Sequence, residues 1–150
     1  MRSTLAIALT LVAAALGEVV EMYDCENVSS DHCQVNEVRI TPCTKANGCL
    51  LKRGKQYEIS FDFVPNFSTA KLRTAVYKAD VVDVPFVELS DANGCDYTTC
   101  PTEAGKSQQL NYGLRLSKKL PRGTFIIKWK LWNQVEPDQL CCFKTAIEIR

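Results

Sequence analysis

Eight cysteines are the residues of this chain whose type and spacing most clearly predict chemistry. They are Cys25, Cys33, Cys43, Cys49, Cys95, Cys100, Cys141 and Cys142. Thiols in close pairs either form disulfides or bind zinc. The chain has a single histidine, His32, and its amino-terminal sequence predicts export into an oxidising compartment, where an even cysteine count indicates disulfides. We therefore expect four disulfides and no metal site.

Two pairs of cysteines lie close together in the sequence, Cys43 with Cys49 and Cys95 with Cys100. Such pairs most simply close their own loops. Small rings of this kind stabilise a fold by about 2 to 3 kcal/mol and mainly fix the shape of the loop. The other four cysteines are two near the start of the chain and two near its end.

The four outer cysteines predict a link between the two ends of the chain. Cys141 and Cys142 are adjacent on a predicted strand, so their side chains point to opposite faces and each needs its own partner. Bonds from Cys25 and Cys33 to this pair would close very large rings, worth about 4 to 5 kcal/mol each. Eight cysteines allow roughly 105 connectivities, so the residues alone leave the pairing open.

Groups suited to catalysis are sparse. His32 lies in a polar stretch beside a cysteine that we expect to be disulfide-bonded, and neither a Gly-x-Ser-x-Gly motif nor a phosphate-binding glycine motif occurs. The carboxylates of Asp80, Asp83 and Glu88 fall where solvated loops are expected. We therefore expect no catalytic residue, no cofactor and no enzymatic activity.

Residues 1–17 predict a signal peptide. Arg2 is followed by an apolar run from Leu5 to Leu16 and by a small-residue cleavage pattern that ends at Gly17. The run is shorter than the roughly twenty apolar residues that a membrane-spanning helix needs. Cleavage would leave residues 18–150 as one domain, either secreted to the extracellular space or held in a lysosome-like lumen.

The sequons at Asn27 and Asn66 are consistent with export, because glycan acceptors belong on exposed loops of secreted proteins. An unused sequon is the plainer alternative for each. The charges give no sign of a nucleic-acid partner, since 18 basic and 17 acidic residues are interspersed along the chain. We expect a monomer.

Apolar and polar residues alternate with a period of two between turn signals, which predicts an all-β chain. The predicted strands are Val35–Ile40, Gln56–Phe63, Ala70–Ala79, Val81–Leu89, Leu110–Leu116, Thr124–Trp132 and Cys142–Ile149. Of these, Val81–Leu89 is expected to be broken by Pro85. About seven strands at this spacing favour two antiparallel sheets packed face to face, an immunoglobulin-like β-sandwich.

Short motifs occur in a characteristic order along residues 18–150. They are Asp24-Cys25, Thr41-Pro42-Cys43 with Cys49-Leu50, Arg53-Gly54-Lys55-Gln56-Tyr57, Val84-Pro85-Phe86, Gly94-Cys95 to Cys100-Pro101 with Gly105, and Trp129 with Leu131 before Cys142. Together they resemble the ML lipid-recognition domain family, in particular the Niemann-Pick type C2 class and its arthropod relatives, including the group 2 mite allergens.

The resemblance implies the same two-sheet sandwich and a particular pairing of six cysteines. The implied disulfides are Cys25–Cys142, Cys43–Cys49 and Cys95–Cys100. Cys33 and Cys141 lie outside the pattern of the family. We expect them to form a fourth bond, because both are left over and both neighbour the long-range bond.

The resemblance also implies a lipid tunnel. In the sterol-binding members a phenylalanine after Val-Pro lines the tunnel, and this position falls on Phe86. Two further tunnel positions, a valine and a tyrosine ahead of a proline, fall on Leu116 and Leu120. Both positions remain apolar, but the missing tyrosine makes a fatty acid or another slender lipid an alternative to cholesterol.

Lipid binding requires the two sheets to splay and leave an apolar slot, because a fully interdigitated sandwich has no cavity. Ordinary core packing is the alternative for each candidate lining residue. The candidates are Phe61, Phe63, Val76, Phe86, Tyr112, Leu114, Leu116, Phe125, Ile127, Trp129, Phe143 and Ile147.

The loops near Asn66, Pro85 and Pro121 are candidates for the mouth of such a slot. Lys118, Lys119 and Arg122 beside the last of them would meet acidic headgroups or a membrane surface, and a solvated turn is the alternative for these cations.

Taken together, these features predict a secreted carrier for a sterol or fatty acid, for intracellular sterol transport or extracellular carriage of lipids and semiochemicals. Its partners would be a hydrophobic small molecule and, transiently, a membrane or receptor. One alternative is an innate-immune or allergen-like module that binds microbial lipids and presents them to a receptor. The other is a ligand-free structural interaction domain with a filled core.

Overall fold

The computed structural model describes residues 17–45 and 47–150. The predicted signal peptide, residues 1–17, therefore lies outside the described residues except for Gly17. The helical segments of the described chain are single 3-10 turns, and none is long and apolar enough to span a membrane. The regular structure of the described chain is otherwise β-strand.

The strands and turns follow one another along the chain, and the long strands lie where alternation predicts them. The strands are β1 (Glu18–Val19), β2 (Tyr23–Asp24), β3 (Cys33–Thr41), β4 (Cys49–Leu51), β5 (Gln56–Pro65), β6 (Leu72–Lys78), β7 (Val84–Pro85), β8 (Ala92–Asn93), β9 (Gln108–Arg115), β10 (Gly123–Asn133) and β11 (Leu140–Ile149). The 3-10 turns are Val87–Leu89 and Gly94–Asp96. Each of the six longest strands begins and ends within about two residues of its predicted bounds, because these strands of 7 to 11 residues are long enough to show a clear alternation.

The strands form two sheets. The smaller sheet has the order β1-β3-β5-β9, and the larger has the order β2-β11-β10-β6-β7, with β4 beside β11 and β8 beside β6. Neighbouring strands are antiparallel except β4 and β11, which run parallel. The prediction of an immunoglobulin-like β-sandwich is confirmed.

The segment Val81–Leu89 differs from the single broken strand that was expected. Only Val84 and Pro85 pair with β6, after which Phe86 donates its backbone N–H to the carbonyl of Val76 at 2.9 Å and the chain enters a 3-10 turn. Pro85 has no N–H to extend the ladder. The turn brings Leu89 back into the core, where it is buried.

Aromatic side chains join the two sheets near the middle of the sandwich. The ring of Phe61 on β5 lies 5.6 Å from that of Trp129 on β10 and 5.0 Å from that of Phe143 on β11. Phe63 packs against Phe61 on the same sheet, with ring centroids 5.6 Å apart. All four side chains are buried, so this part of the interior is filled.

The structure pairs all eight cysteines, with Sγ–Sγ distances from 1.96 to 2.09 Å. The pairs are Cys25–Cys142, Cys33–Cys141, Cys43–Cys49 and Cys95–Cys100. These are the three bonds that the resemblance implies and the additional bond expected between the two remaining cysteines.

The adjacent cysteines of β11 point to opposite faces of the larger sheet. Cys141 is buried and bonds to Cys33 at the start of β3, so this disulfide crosses from one sheet to the other. Cys142 bonds to Cys25, which directly follows the edge strand β2. The two bonds together fasten the amino-terminal segment to the last strand.

Candidate functional site

A largely apolar cavity of about 470 Å³ opens at one end of the sandwich. We call it the mouth cavity. Its walls come from the end of β6, from β7 and the turn after it, from the loop between β9 and β10, and from the adjacent ends of β10 and β11. It is lined by Lys78, Val84, Pro85, Phe86, Val87, Glu88, Ser117, Lys119, Leu120, Pro121, Phe125 and Ile149.

A second apolar space, which we call the inner slot, lies deeper between the two sheets. It is narrow, about 20 Å³ in volume, and the lining surface that it exposes is apolar. Its walls come from β5 and β9 of the smaller sheet and from β6, β10 and β11 of the larger. It is lined by Leu51, Ile59, Val76, Phe86, Glu88, Leu89, Tyr112, Leu114, Leu116, Ile127, Trp129 and Ile147.

Phe86 and Glu88 line both spaces and so form the boundary between them. Both are half-buried, whereas Val87 between them is 89% exposed. This alternation follows from the 3-10 turn, which directs neighbouring side chains in different directions. A ligand that passed from the mouth cavity into the inner slot would contact both residues.

Ten of the thirteen candidate lining residues fall on these two walls. Leu120 and Phe125 line the mouth cavity, and Phe86 lines both spaces. The candidates that line the inner slot alone are Val76, Tyr112, Leu114, Leu116, Ile127, Trp129 and Ile147. The structure thus brings together residues from both sheets.

Phe61, Phe63 and Phe143 line neither space. Phe61 and Phe63 belong to the filled core, and Phe143 is buried with its ring stacked 6.2 Å from that of Trp129. All three point inward as predicted, but they lie farther from the mouth along their strands. Alternation identifies the inward face and does not say where along a strand the sheets separate.

Several lining residues were not predicted. Ile59 and Ile149 continue apolar faces that were recognised on β5 and β11, so the same alternation could have identified them. Leu51 lies on a strand of three residues and Leu89 lies in a 3-10 turn. Neither has a periodic signal in the sequence.

The loops expected to form the mouth do not all meet. Pro85 and Pro121 line the mouth cavity, whereas Asn66 lies at the other end of β5, where its backbone N–H donates to the carbonyl of His32 at 2.8 Å. Gln56 at the start of β5 pairs with Arg115 near the mouth. The strand therefore separates Asn66 from the mouth by the length of the sandwich.

Of the three cations expected beside Pro121, only Lys119 lines the mouth cavity. The stem of Lys118 lies over Gly54, and Arg122 is exposed. A cation that was not predicted, Lys78, also lines the mouth, where its Nζ lies 5.6 Å above the ring of Phe125. The basic character of the mouth thus comes from Lys78 on β6 and from Lys119 in the loop between β9 and β10.

Asp83 braces the loop that carries one wall of the mouth. Its carboxylate accepts hydrogen bonds from Nζ of Lys128 at 2.9 and 3.0 Å, and Nζ of Lys130 lies 3.7 Å away. Burial acts to raise the pKa of Asp83, but the hydrogen bonds and charge of Lys128, with Lys130 nearby, outweigh it and leave that pKa below its usual range. The expectation of a solvated carboxylate is wrong for Asp83 and for half-buried Glu88, whereas Asp80 is exposed.

The hydroxyl of Tyr112 fixes the backbone of the boundary turn by donating to the carbonyl of Glu88 at 2.8 Å. Burial raises the pKa of Tyr112, and Tyr97 and Glu88 raise it further. The tyrosine therefore keeps its proton at neutral pH and remains a donor.

A further pocket, of about 560 Å³, lies at the opposite end beside Cys25–Cys142. Most of its lining surface is polar, with Tyr23, Asp24 and Gln34 among its walls. It is unsuited to an apolar ligand, so the mouth cavity and inner slot form the candidate site.

The sequence profile of the ML domain matches residues 19–149. The chain belongs to the ML-domain family. The resemblance noted in its motifs is confirmed, and the match covers nearly the whole of the described chain.

Relatives of this ML-domain chain occur in insects and mites. It is 51% identical over 145 residues to an MD-2-related lipid-recognition protein of Manduca sexta, covering 93% of this chain and 95% of that protein. It is 29% identical over 139 residues to NPC intracellular cholesterol transporter 2 homolog a of Drosophila melanogaster, covering 89% and 88%. It is 28% identical over 120 residues to mite group 2 allergen Der f 2 of Dermatophagoides farinae, covering 78% and 77%.

Among solved structures, a Niemann-Pick type C2 protein from the Japanese carpenter ant superposes with a TM-score of 0.72. The alignment covers 85% of this chain and 100% of the ant protein at 19% sequence identity. At this identity the likeness establishes a common fold.

Proposed function

We propose that this protein carries a single sterol or fatty acid, taken up tail-first through the mouth cavity and held between the two sheets. As a member of the ML-domain family it is a lipid-recognition protein and not an enzyme. The observation that carries the finer proposal is the continuity of two apolar spaces across Phe86. Each methylene moved from water into such a site contributes about 0.8 kcal/mol, so a long tail needs few polar contacts.

The narrow inner slot means that a bound tail would have to push the sheets apart near the mouth. The filled aromatic core around Phe61 would remain closed and act as the floor of the site. Leu116 and Leu120, which replace the valine and tyrosine of sterol-binding relatives, lie on the inner slot and the mouth cavity respectively. We therefore include an unbranched tail beside a sterol ring system among the ligands to be tested.

We further propose that the protein is a secreted monomer from which residues 1–17 have been removed. Asn27 and Asn66 are both exposed, and both lie near the start of β3, at the end opposite the mouth. Glycans on these residues would leave the mouth open. Extracellular fluid and a lysosome-like lumen both fit this route, and a membrane or receptor would be met transiently at the mouth.

Phe86→Asp is expected to weaken lipid binding about 10- to 100-fold, because it places a charge on the apolar wall that a tail must cross. Val81→Asp is the matched control, since Val81 lies just before β7 as Phe86 lies just after it, is fully exposed and lines neither space. Displacement of a fluorescent fatty acid and of a fluorescent sterol measures both variants. Equal affinities for the two variants would contradict the proposed site, and failure of the unmodified protein to bind either probe would favour the ligand-free interaction domain.

A further inference from the structure

We infer that Glu88 selects the headgroup of the bound lipid, accepting a hydrogen bond from a hydroxyl and disfavouring a carboxylate. This inference rests on the proposed lipid-carrying function. It would make neutral lipids with a hydroxyl head, such as long-chain alcohols and sterols, better ligands than ionised fatty acids of the same length.

The first observation is a buried acceptor without a partner. Within the described part of the chain, Oε2 of Glu88 is closed off from solvent and makes no hydrogen bond. It is the only buried side-chain oxygen or nitrogen of the described residues in this condition. Leaving such a group unpaired is unfavourable, more so when the group is charged, and a ligand that brings a hydrogen-bond donor would recover this loss.

The second observation is the position of this residue. Glu88 lines both the mouth cavity and the inner slot, so a lipid that extends from one space into the other passes this residue. The turn is held in place by the bond from Tyr112 to the carbonyl of Glu88 and by Leu89, whose side chain is buried in the inner slot. The backbone that carries the acceptor is therefore held in place before a ligand arrives.

The chemistry of the two headgroups then differs. A hydroxyl supplies the proton that Oε2 lacks, and a hydrogen bond to a charged acceptor is stronger than one between neutral groups. An ionised fatty acid supplies no proton and brings a second negative charge into a site that largely excludes water, where like charges repel more strongly.

Two cations at the mouth oppose this preference weakly. Lys119 is exposed, and Lys78 lies 3.8 Å from the carboxylate of Asp80. Ion pairs formed in contact with solvent contribute little to affinity and are screened by salt. The buried acceptor therefore decides between the two headgroups.

The test compares hexadecan-1-ol with hexadecanoate, which share a chain length and differ in the headgroup. Each displaces diphenylhexatriene, a fluorescent hydrocarbon with no polar group, from the glycan-trimmed protein at neutral pH. The unmodified protein is expected to bind the alcohol about 10-fold more tightly than the acid, the ratio that one hydrogen bond of about 1.4 kcal/mol produces.

Two variants and one control identify the residue responsible. Glu88→Leu is expected to bring the two ligands within about twofold of each other, and Glu88→Gln, whose amide both donates and accepts, is expected to tighten binding of the acid. Glu103→Gln removes the same charge from an exposed side chain near the start of the loop before β9, at the far end of the sandwich, and should leave the ratio unchanged. Thermal unfolding confirms that each variant is folded.

The outcomes separate this inference from the function on which it rests. The inference about Glu88 is wrong if the hydrocarbon probe binds and both ligands displace it equally, or if Glu88→Leu still prefers the alcohol. Either result leaves the proposed lipid-carrying function intact. If the unmodified protein takes up neither the probe nor either ligand, both are wrong.

Discussion

Replacing all four of Cys25, Cys33, Cys141 and Cys142 by alanine is expected to lower the free energy of unfolding by about 7 kcal/mol, whereas removing either disulfide alone is expected to cost about 2 to 3 kcal/mol. The loss from the fourfold variant therefore exceeds the sum of the two single losses. It is also comparable to the whole stability of many domains of this size.

The reason lies in the sizes of the rings. The two bonds span 117 and 108 residues, so either one alone closes a very large ring and removes about 4 to 5 kcal/mol of chain entropy from the unfolded state. Once one bond is present, forming the other closes only a small ring. This ring has about ten residues, the segment from Cys25 to Cys33 and the adjacent cysteines of β11. Each bond therefore replaces about half of what the other would contribute alone.

Denaturant unfolding of the oxidised proteins measures the free energy of unfolding lost in each single-disulfide variant and in the fourfold variant. Peptide mapping without reduction verifies which disulfides remain in each. Removal of the short-range pair Cys95–Cys100, which spans 5 residues, is the control and should cost about 2 kcal/mol. A fourfold variant that loses only the sum of the two single losses would contradict the shared role of the long-range bonds.

Trp129→Ala is expected to lower the free energy of unfolding by about 4 kcal/mol. The indole is 1% exposed and packs against Phe61, Tyr112 and Phe143 at centroid distances of 5.6, 5.7 and 6.2 Å. Its Nε1–H also donates to the hydroxyl of Thr74 at 2.9 Å. Truncation removes these contacts and leaves a void where the floor of the inner slot meets the core.

Two companion variants separate packing from hydrogen bonding. Trp129→Phe keeps an aromatic ring and loses the bond to Thr74, so it is expected to cost about 1 to 2 kcal/mol. Trp132→Ala truncates the same residue type on the opposite face of β10, where it is only half-buried, and should cost under about 2 kcal/mol. If Trp132→Ala were as costly as Trp129→Ala, the inward face of β10 would not be the one that supports the sandwich.

The fold was largely predictable because its long strands alternate clearly. On β10, for example, Phe125, Ile127 and Trp129 share the inward face and Lys128 faces the other way, so both the strand and its orientation could be derived. The short strands β1, β2, β4 and β8 were missed, since a segment of two or three residues has no period. The 3-10 turn at Val87–Leu89 was missed for the same reason.

The candidate site was predictable in its composition but not in its extent. The family resemblance placed Phe86, Leu116 and Leu120 on a tunnel, and the structure puts them on the mouth cavity and inner slot. Apolar character and burial do not distinguish a lining residue from a core residue, since Phe143 is as buried as Trp129 yet does not line the slot. The point at which the sheets separate depends on how side chains of one sheet pack against those of the other. The sequence pattern of a single strand does not contain this information.

Glu88 illustrates a different limit. Its sequence context, between Val87 and Leu89 in a loop after a proline, indicates a solvated carboxylate. Only the turn that buries Leu89 and the hydrogen bond from Tyr112 to its backbone place Glu88 at the boundary of the two spaces. Its position follows from tertiary contacts and not from local pattern.

Native mass spectrometry of the secreted, deglycosylated protein, followed by organic extraction, tests the central claim most directly. We expect a species heavier than the polypeptide by the mass of one lipid, which extraction releases as a sterol, fatty alcohol or fatty acid. A protein that has the mass of the bare polypeptide, yields no lipid and takes up neither a fluorescent sterol nor a fluorescent fatty acid would contradict it.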